Sequence, residues 1–238
     1  MLWMGVTVVP YALAIVLCAA VGVGSATRYR IAATWLGMVS LSSARVILGI
    51  ETRIIGMENL PQGDKTAALL LVKHQSAFET FLMPAIMPHP LAYVFKKELL
   101  YVPFFGWAIG LLDMIYIDRS LRTQAFKKVV AQGKKRLAQG TWIIMFPEGT
   151  RTPRGQKGVY ETSGTRLAVQ TGAAVIPIAV TSATCWPPRA FLKTPGVVHV
   201  SIGKPIPSEG RHHRELMVEV ESWIETEMRR LDPQAYAQ

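Results

Sequence analysis

Ala67-Ala68-Leu69-Leu70-Leu71-Val72-Lys73-His74-Gln75-Ser76-Ala77-Phe78-Glu79 joins an unbroken apolar run to a polar loop carrying a histidine and a carboxylate. The run at 67–72 is short and apolar on both sides, which reads as a strand buried on both faces of an α/β sheet. Runs of the same kind recur at 91–95, 114–117, 141–146, 173–180 and 197–202, between stretches of helical pattern. Residues 51–238 therefore read as one α/β domain with a single, mostly parallel sheet flanked by helices.

Two amphipathic helices are legible between and after the strands. Over 121–138, Phe126, Val129, Val130 and Leu137 share one side, and Lys127, Lys128, Lys134 and Lys135 another. That basic stripe fits a solvated face or a membrane surface. Leu216, Val220, Trp223, Ile224, Met228 and Leu231 give the apolar stripe of a last helix, with Ser208 as its expected early cap.

Residues 2–24 carry no charged side chain, and Arg28 and Arg30 follow directly. About 20 residues cross a bilayer core as a helix, so this stretch is a transmembrane candidate. A secretory signal would place basic residues ahead of a shorter apolar run, a poor match here. The positive-inside rule puts the downstream side in the cytoplasm, the expected location being a bacterial inner membrane. The second apolar stretch, 31–50, contains Arg45 with several Ser and Thr, and reads as an interfacial helix or a core helix of the domain. Residues 1–50 are thus expected to form an N-terminal hydrophobic helical membrane anchor.

Half of the 238 residues are hydrophobic and 18% charged, an apolar balance that suits a membrane-associated protein. The formal net charge of +10 is uneven: residues 1–155 hold 17 Lys and Arg against 8 Asp and Glu, the remainder 9 against 8. A basic half beside an apolar anchor favours anionic headgroups and phosphorylated substrates. Nucleic acid would call for aromatic platforms or a recognition module, and the sequence has neither. Cys18 and Cys185 give no disulfide framework, and His199, His212 and His213 have no metal-ligand spacing, so no metal is expected.

The strand at 67–72 delivers His74 to a loop at its carboxyl end, where open α/β sheets hold their ligands. Five helical steps rotate a chain by about 500°, leaving His74 and Glu79 about 140° apart if both were helical. His74 is therefore expected before the helix and Glu79 in its first turns. The carboxylate could then accept the proton of one imidazole nitrogen and leave the other as general base. Alone, the pattern equally fits a histidine hydrogen-bonded at a strand end. Phe146-Pro147-Glu148-Gly149-Thr150-Arg151 follows the run at 141–146, and if the two strands are parallel both loops meet at one edge. Arg151 could bind a phosphate bidentately, and Gly149 lets the backbone approach a ligand.

These blocks resemble the lysophosphatidic acid acyltransferase family over roughly residues 45–205. The family's first block is a His and an acid with four residues between them, matched by His74 and Glu79. The second is a Lys-rich segment, a Gly and then Ile-Asp-Arg, matched by Lys96, Lys97, Gly106, Ile117, Asp118 and Arg119. The third is matched by residues 146–151, and the fourth, an apolar run around a Pro, by Val175-Ile176-Pro177-Ile178. The resemblance implies catalysis by His74 and Glu79 and glycerol phosphate binding by Lys97, Arg119, Glu148, Gly149, Thr150 and Arg151. It implies an acyl-donor site shaped around Pro177. The departure is Glu79, where the family ordinarily has Asp; the charge is kept and one methylene added.

The resulting expectation is a membrane acyltransferase that moves a fatty acyl group from acyl-CoA or acyl-ACP to the sn-2 hydroxyl of lysophosphatidic acid, giving phosphatidic acid. It needs no cofactor beyond the acyl co-substrate, and its partners are membrane phospholipids. Another lyso-lipid acceptor, or noncatalytic binding of anionic lipid, are the alternatives. A Ser-His-acid hydrolase built on Ser76 would want Gly-x-Ser-x-Gly, which Gln75 and Ala77 do not supply, so Ser76 reads as a helix cap.

Overall fold

The structure is a computed structural model, which describes residues 2–63, 66–118 and 123–237. The described residues form one seven-stranded sheet, in the order β1-β7-β6-β2-β5-β3-β4. Its strands are β1 (Ile50–Ile55), β2 (Ala68–Val72), β3 (Leu91–Lys96), β4 (Ile115–Ile117), β5 (Trp142–Met145), β6 (Ala174–Val180) and β7 (Gly196–Ile202). Every neighbouring pair is parallel except β6 with β7. β2 lies between β5 and β6, in register Leu70↔Ile144 and Leu70↔Ile176.

All five residues of β2 are fully buried, because successive side chains of a strand point to opposite faces and both faces are covered. Leu70 and Val72 meet Phe78, Leu82 and Met83 of α4 (Phe78–Ile86) on one face. Leu69 and Leu71 meet the other face, built from Val129 of α6 (Thr123–Ala138), Leu167 of α7 (Ser163–Thr171) and Val220 and Ile224 of α8 (His213–Leu231). Each such aliphatic side chain contributes about 1.5–3 kcal/mol on burial, so the central strands dominate the core.

β1 is not among the apolar runs of the sequence. It is an edge strand with alternating burial, and its Glu51 and Arg53 point outward, so it lacks the continuous apolar signal of a central strand. The chain leaves it through Gly56 at φ 85, where a Cβ would stand 2.1 Å from the carbonyl oxygen of Ile202. The lysines of α6 are exposed as expected, while Leu121 lies outside the described residues. Ser208 does not cap α8. The helix starts later, after His212, and the buried Ser208 hydroxyl donates instead to the carbonyls of Ala173 (2.7 Å) and Ala168 (3.1 Å).

At the amino-terminal end, α1 (Leu2–Ala20) turns at Gly22 into α2 (Ser25–Gly37). The same helical path widens over Met38–Ser43 and continues as α3 (Ala44–Leu48), so the second apolar helix starts earlier than the run at 31–50. Trp35 Nε1 donates to Thr7 Oγ1 at 3.0 Å between α1 and α2. Both Trp3–Ala20 and Ser25–Leu48 are long and apolar enough to cross a membrane, and only 11% and 28% of them are buried by the rest of the chain. Large exposed apolar surface of this kind suggests membrane association. The anchor is also stitched to the domain: Arg28 Nε donates to the Leu111 carbonyl at 3.0 Å, and the Leu91 N–H donates to the Tyr29 hydroxyl at 2.9 Å.

Trp142 opens β5 fully buried, stacks on His89 at 4.4 Å between ring centroids, and donates its indole N–H to the Thr66 carbonyl at 2.8 Å. Trp142→Ala should lower the unfolding free energy by about 3–5 kcal/mol, read by chemical denaturation in detergent.

Candidate active site

β2 and β5 run parallel, so the loops that follow them emerge at one edge of the sheet. The Lys73 N–H still pairs with the β6 neighbour Ile178, donating to its carbonyl at 2.9 Å, and the chain then turns away at His74. Ser76-Ala77-Phe78-Glu79 leads into α4, whose N-cap is Ala77, with side chains taking up the N–H groups of the turn: Ser76 Oγ accepts the Phe78 N–H at 2.8 Å, and Glu79 Oε1 accepts those of Ser76 (2.7 Å) and Gln75 (2.6 Å). The carboxylate is thereby fixed before it meets the imidazole. The same Oε1 takes His74 Nδ1 at 2.9 Å, and Ser182 Oγ donates to Oε2 at 2.6 Å. Glu79 is fully buried and the His74 side chain 13% exposed, so the ring alone of this pair reaches the surface. A carboxylate at Nδ1 sets the tautomer with hydrogen on that nitrogen, which leaves the Nε2 lone pair facing outward as a base.

The loop after β5 encloses His74 from another side. Phe146 stacks on the imidazole at 4.0 Å and 16°. A turn closed by the Gly149 N–H on the Phe146 carbonyl (3.0 Å) puts Gly149 at φ 63, a conformation that favours glycine. Gly149, Thr150 and Arg151 are exposed, and Arg151 makes no ion pair among the described residues. Glu148, by contrast, faces inward. Its Oε2 accepts the His74 N–H at 2.8 Å and its Oε1 the Thr152 hydroxyl at 3.0 Å, while the Thr152 N–H donates to the His74 carbonyl at 2.8 Å. His74 is therefore gripped at both ends of its own main chain by the neighbouring loop.

Beneath it lies a side-chain cluster of which the motifs include only Glu148. Lys73 is fully buried, with Nζ 2.6 Å from Glu148 Oε1 and 2.8 Å from Glu225 Oε1, and it also donates to the Gln156 carbonyl at 3.3 Å. Tyr160 donates its hydroxyl to the same Glu225 oxygen at 2.7 Å. Burial and the carboxylates of Glu148 and Glu225 push the Tyr160 phenol far above its ordinary range, so it stays a donor. Two signals for this cluster exist in sequence: a lysine closing a wholly apolar run, and Glu225 beside Ile224 on the apolar stripe of α8. Ser182 and Thr152 carry no comparable signal.

Of the remaining candidates, Lys97 lies at this edge and Pro177 in the strand beside β2. Lys97 follows β3, and its ammonium, 42% exposed, stands 3.0 Å from Asp118 Oδ2 just past β4; that hydrogen bond raises its pKa. Arg119 lies outside the described residues. Pro177 is buried within β6 opposite Leu71 of β2. Its carbonyl accepts the Gly203 N–H at 2.9 Å just beyond the end of β7, a place where a strand tolerates proline. An apolar cavity of about 200 Å³ lies between the anchor and the edge, lined among others by Ala12, Ile15, Thr80, Tyr93, Leu99 and Phe105. Its Tyr93 ring is 6.2 Å from that of Phe146, which in turn stacks on His74. The sequence gives no pattern for a cavity that forms only when α1, α2 and α4 meet.

A family model described as Acyltransferase matches residues 51–181. A 1-acyl-sn-glycerol-3-phosphate acyltransferase of Pseudomonas aeruginosa is 41% identical over 209 residues, 87% of this chain and 80% of that one. One from Saccharomyces cerevisiae is 29% identical over 170 residues, 69% of this chain and 54% of its own. Among solved structures, the 1-acyl-sn-glycerophosphate (LPA) acyltransferase PlsC of Thermotoga maritima has the same fold, with a TM-score of 0.77 at 23% identity, covering 96% of this chain and 91% of that one. With the family model over more than half its length and so similar a relative over most of it, the chain belongs to the 1-acyl-sn-glycerol-3-phosphate acyltransferase family of acyltransferases.

Proposed function

We propose that this chain transfers a fatty acyl group from the thioester of acyl-CoA or acyl-ACP to the sn-2 hydroxyl of lysophosphatidic acid, releasing the thiol and forming phosphatidic acid. The observation that carries the reading is the imidazole of His74, held at Nδ1 by Glu79 and with no hydrogen bond at Nε2 among the described residues, on a main chain bonded by the loop that carries the exposed Arg151. His74 Nε2 removes the proton of the acceptor hydroxyl as its oxygen attacks the thioester carbonyl carbon. The tetrahedral intermediate collapses by breaking the carbon–sulfur bond, and the imidazolium returns its proton to the departing thiolate. Glu79 and Ser182 keep the ring in one tautomer and one orientation throughout.

Lys97, Arg119, Thr150 and Arg151 are assigned to the phosphate, with Gly149 leaving its backbone open to it; a planar guanidinium pairs two phosphate oxygens at once. Glu148 serves from below: it receives the His74 N–H, and Lys73 with Glu225 holds it in place. Pro177 is assigned to shaping the acyl-donor site from β6. The apolar cavity that begins near Tyr93 is of the right chemistry for an acyl chain. Arg28 and Arg30 flank the anchor on the side where Arg28 bonds the catalytic domain, which supports an inner-membrane enzyme facing the cytoplasm.

Purified protein in detergent, given lysophosphatidic acid with either thioester donor, should make phosphatidic acid. His74→Ala should lower kcat by about 10²–10⁴-fold with the fold intact, and Glu79→Gln should fall in the same direction. Full activity in a folded His74→Ala protein would end the general-base reading, and acylation of other lyso-lipids alone would change the acceptor. Arg151→Ala should act on the acceptor, raising its KM by about 10–100-fold, the worth of a hydrogen bond to a charged group, with a smaller change in kcat. Lys73→Met leaves two carboxylates facing each other in the interior; it should cost about 3–5 kcal/mol in denaturation, and adding Glu225→Gln should recover part of that loss.

A further inference from the structure

We propose that the turn after β3, residues 99–107, is a second membrane-contact element that seats the active-site edge of the sheet in the interfacial layer of a lipid bilayer. Within nine residues it exposes Leu99, Tyr101, Val102, Phe104, Phe105 and Trp107, with Tyr101 72% and Trp107 51% accessible. Soluble surfaces scatter large apolar side chains singly, and a cluster this dense marks a surface that something covers. The composition, dominated by Tyr, Trp and Phe, is that of side chains settling at the level of lipid headgroups.

The turn has a fixed shape. Phe104 holds φ at 60, the Gly106 N–H donates to the Val102 carbonyl at 2.7 Å, and a Cβ at Gly106 would stand 2.5 Å from the carbonyl oxygens of Leu99 and Leu100. The aromatic rings are thus presented by a built backbone, with Phe104 and Trp107 5.1 Å apart.

The occupant follows from continuity with the anchor. Ala108, at the inner side of the same segment, packs on Ala12 and Ile15 of α1. α1 itself carries no charge from Leu2 to Ala20 and exposes Leu13 and Leu17. The aromatic turn and the uncovered side of α1 belong to neighbouring elements, and a bilayer that takes one meets the other. Lys96 and Lys97 precede the turn, where anionic headgroups would lie. The opposite face of the sheet is different in kind, since α8 displays Glu215 and Glu219 beside its solitary exposed Val218. Leu99 and Phe105 also line the apolar cavity. On the proposed function, an acyl chain would pass from the bilayer into that cavity without crossing water.

The test uses the full chain reconstituted in phosphatidylethanolamine–phosphatidylglycerol vesicles, with Cys18→Ser removing the more accessible thiol. A bimane label is placed at Tyr101→Cys, Trp107→Cys or, as the aqueous reference on α8, Val218→Cys. Nitroxide carried high on the lipid acyl chain should quench the labels at 101 and 107 strongly and the one at 218 weakly, and aqueous iodide should give the reverse order. Labels at 101 and 107 as open to iodide as that at 218 would overturn the proposal. This readout needs no turnover, so it stands whatever the acceptor proves to be. For the catalytic consequence, Tyr101→Glu with Trp107→Glu should slow transfer in vesicles by roughly tenfold and leave it unchanged in detergent micelles. Equal rates in vesicles for the variant and the parent protein would also count against it.

Discussion

A lysine ammonium without access to water is tolerated only where carboxylates and hydrogen bonds replace its hydration, and Lys73 is such a group. It sits between Glu148, from the loop after β5, and Glu225, from α8, with the Tyr160 hydroxyl completing the shell of Glu225. Three distant parts of the chain are forced to one point by the cost of leaving any of these charges alone. His74, one residue along, inherits that rigidity: its N–H is bonded to the same Glu148 and its carbonyl to Thr152. The histidine can therefore present one edge of its ring at the surface while its main chain is fixed.

The sheet supplies the rest of the geometry. Parallel pairing of β2, β5, β3 and β4 puts the ends of four strands on one edge, and the candidate catalytic and cationic residues outside β6 follow those strands. One face of the sheet takes α4, which carries Glu79 in its first turn, and the other takes α6, α7 and α8. The anchor joins the α4 side, where Gly37 of α2 would bring a Cβ within 3.3 Å of Ala85. The N-terminal apolar helices and the helix bearing Glu79 thus lie close against each other.

The central strands were readable because each is an apolar run bounded by polar residues, the pattern that burial on both faces requires. β1 was not, since an edge strand alternates and its Glu51 and Arg53 resemble loop chemistry. The relation of His74 to Glu79 followed from helical rotation and the strand end. Their wider setting did not: Ser182 reaches Glu79 from 103 residues away, and the Lys73–Glu225 contact spans 152. No local pattern encodes such pairs, and only a charged residue on an otherwise apolar stripe hinted at them. The motif reading also grouped Glu148 with Arg151 as one ligand-facing unit. The turn at Gly149 separates them, one carboxylate into the core and one guanidinium toward solvent, because a positive φ reverses the chain between them.

The link from residue 73 to residue 225 also orders events during synthesis, which proceeds from the amino terminus. α1 and α2 are complete and able to enter a membrane while most of the domain has yet to leave the ribosome. Lys73 is then already made, and its partner on α8 follows 152 residues later. The histidine loop gains this support only after α8 has been made. A chain cut short before α8 would carry Lys73 and Glu148 without the third member of their cluster.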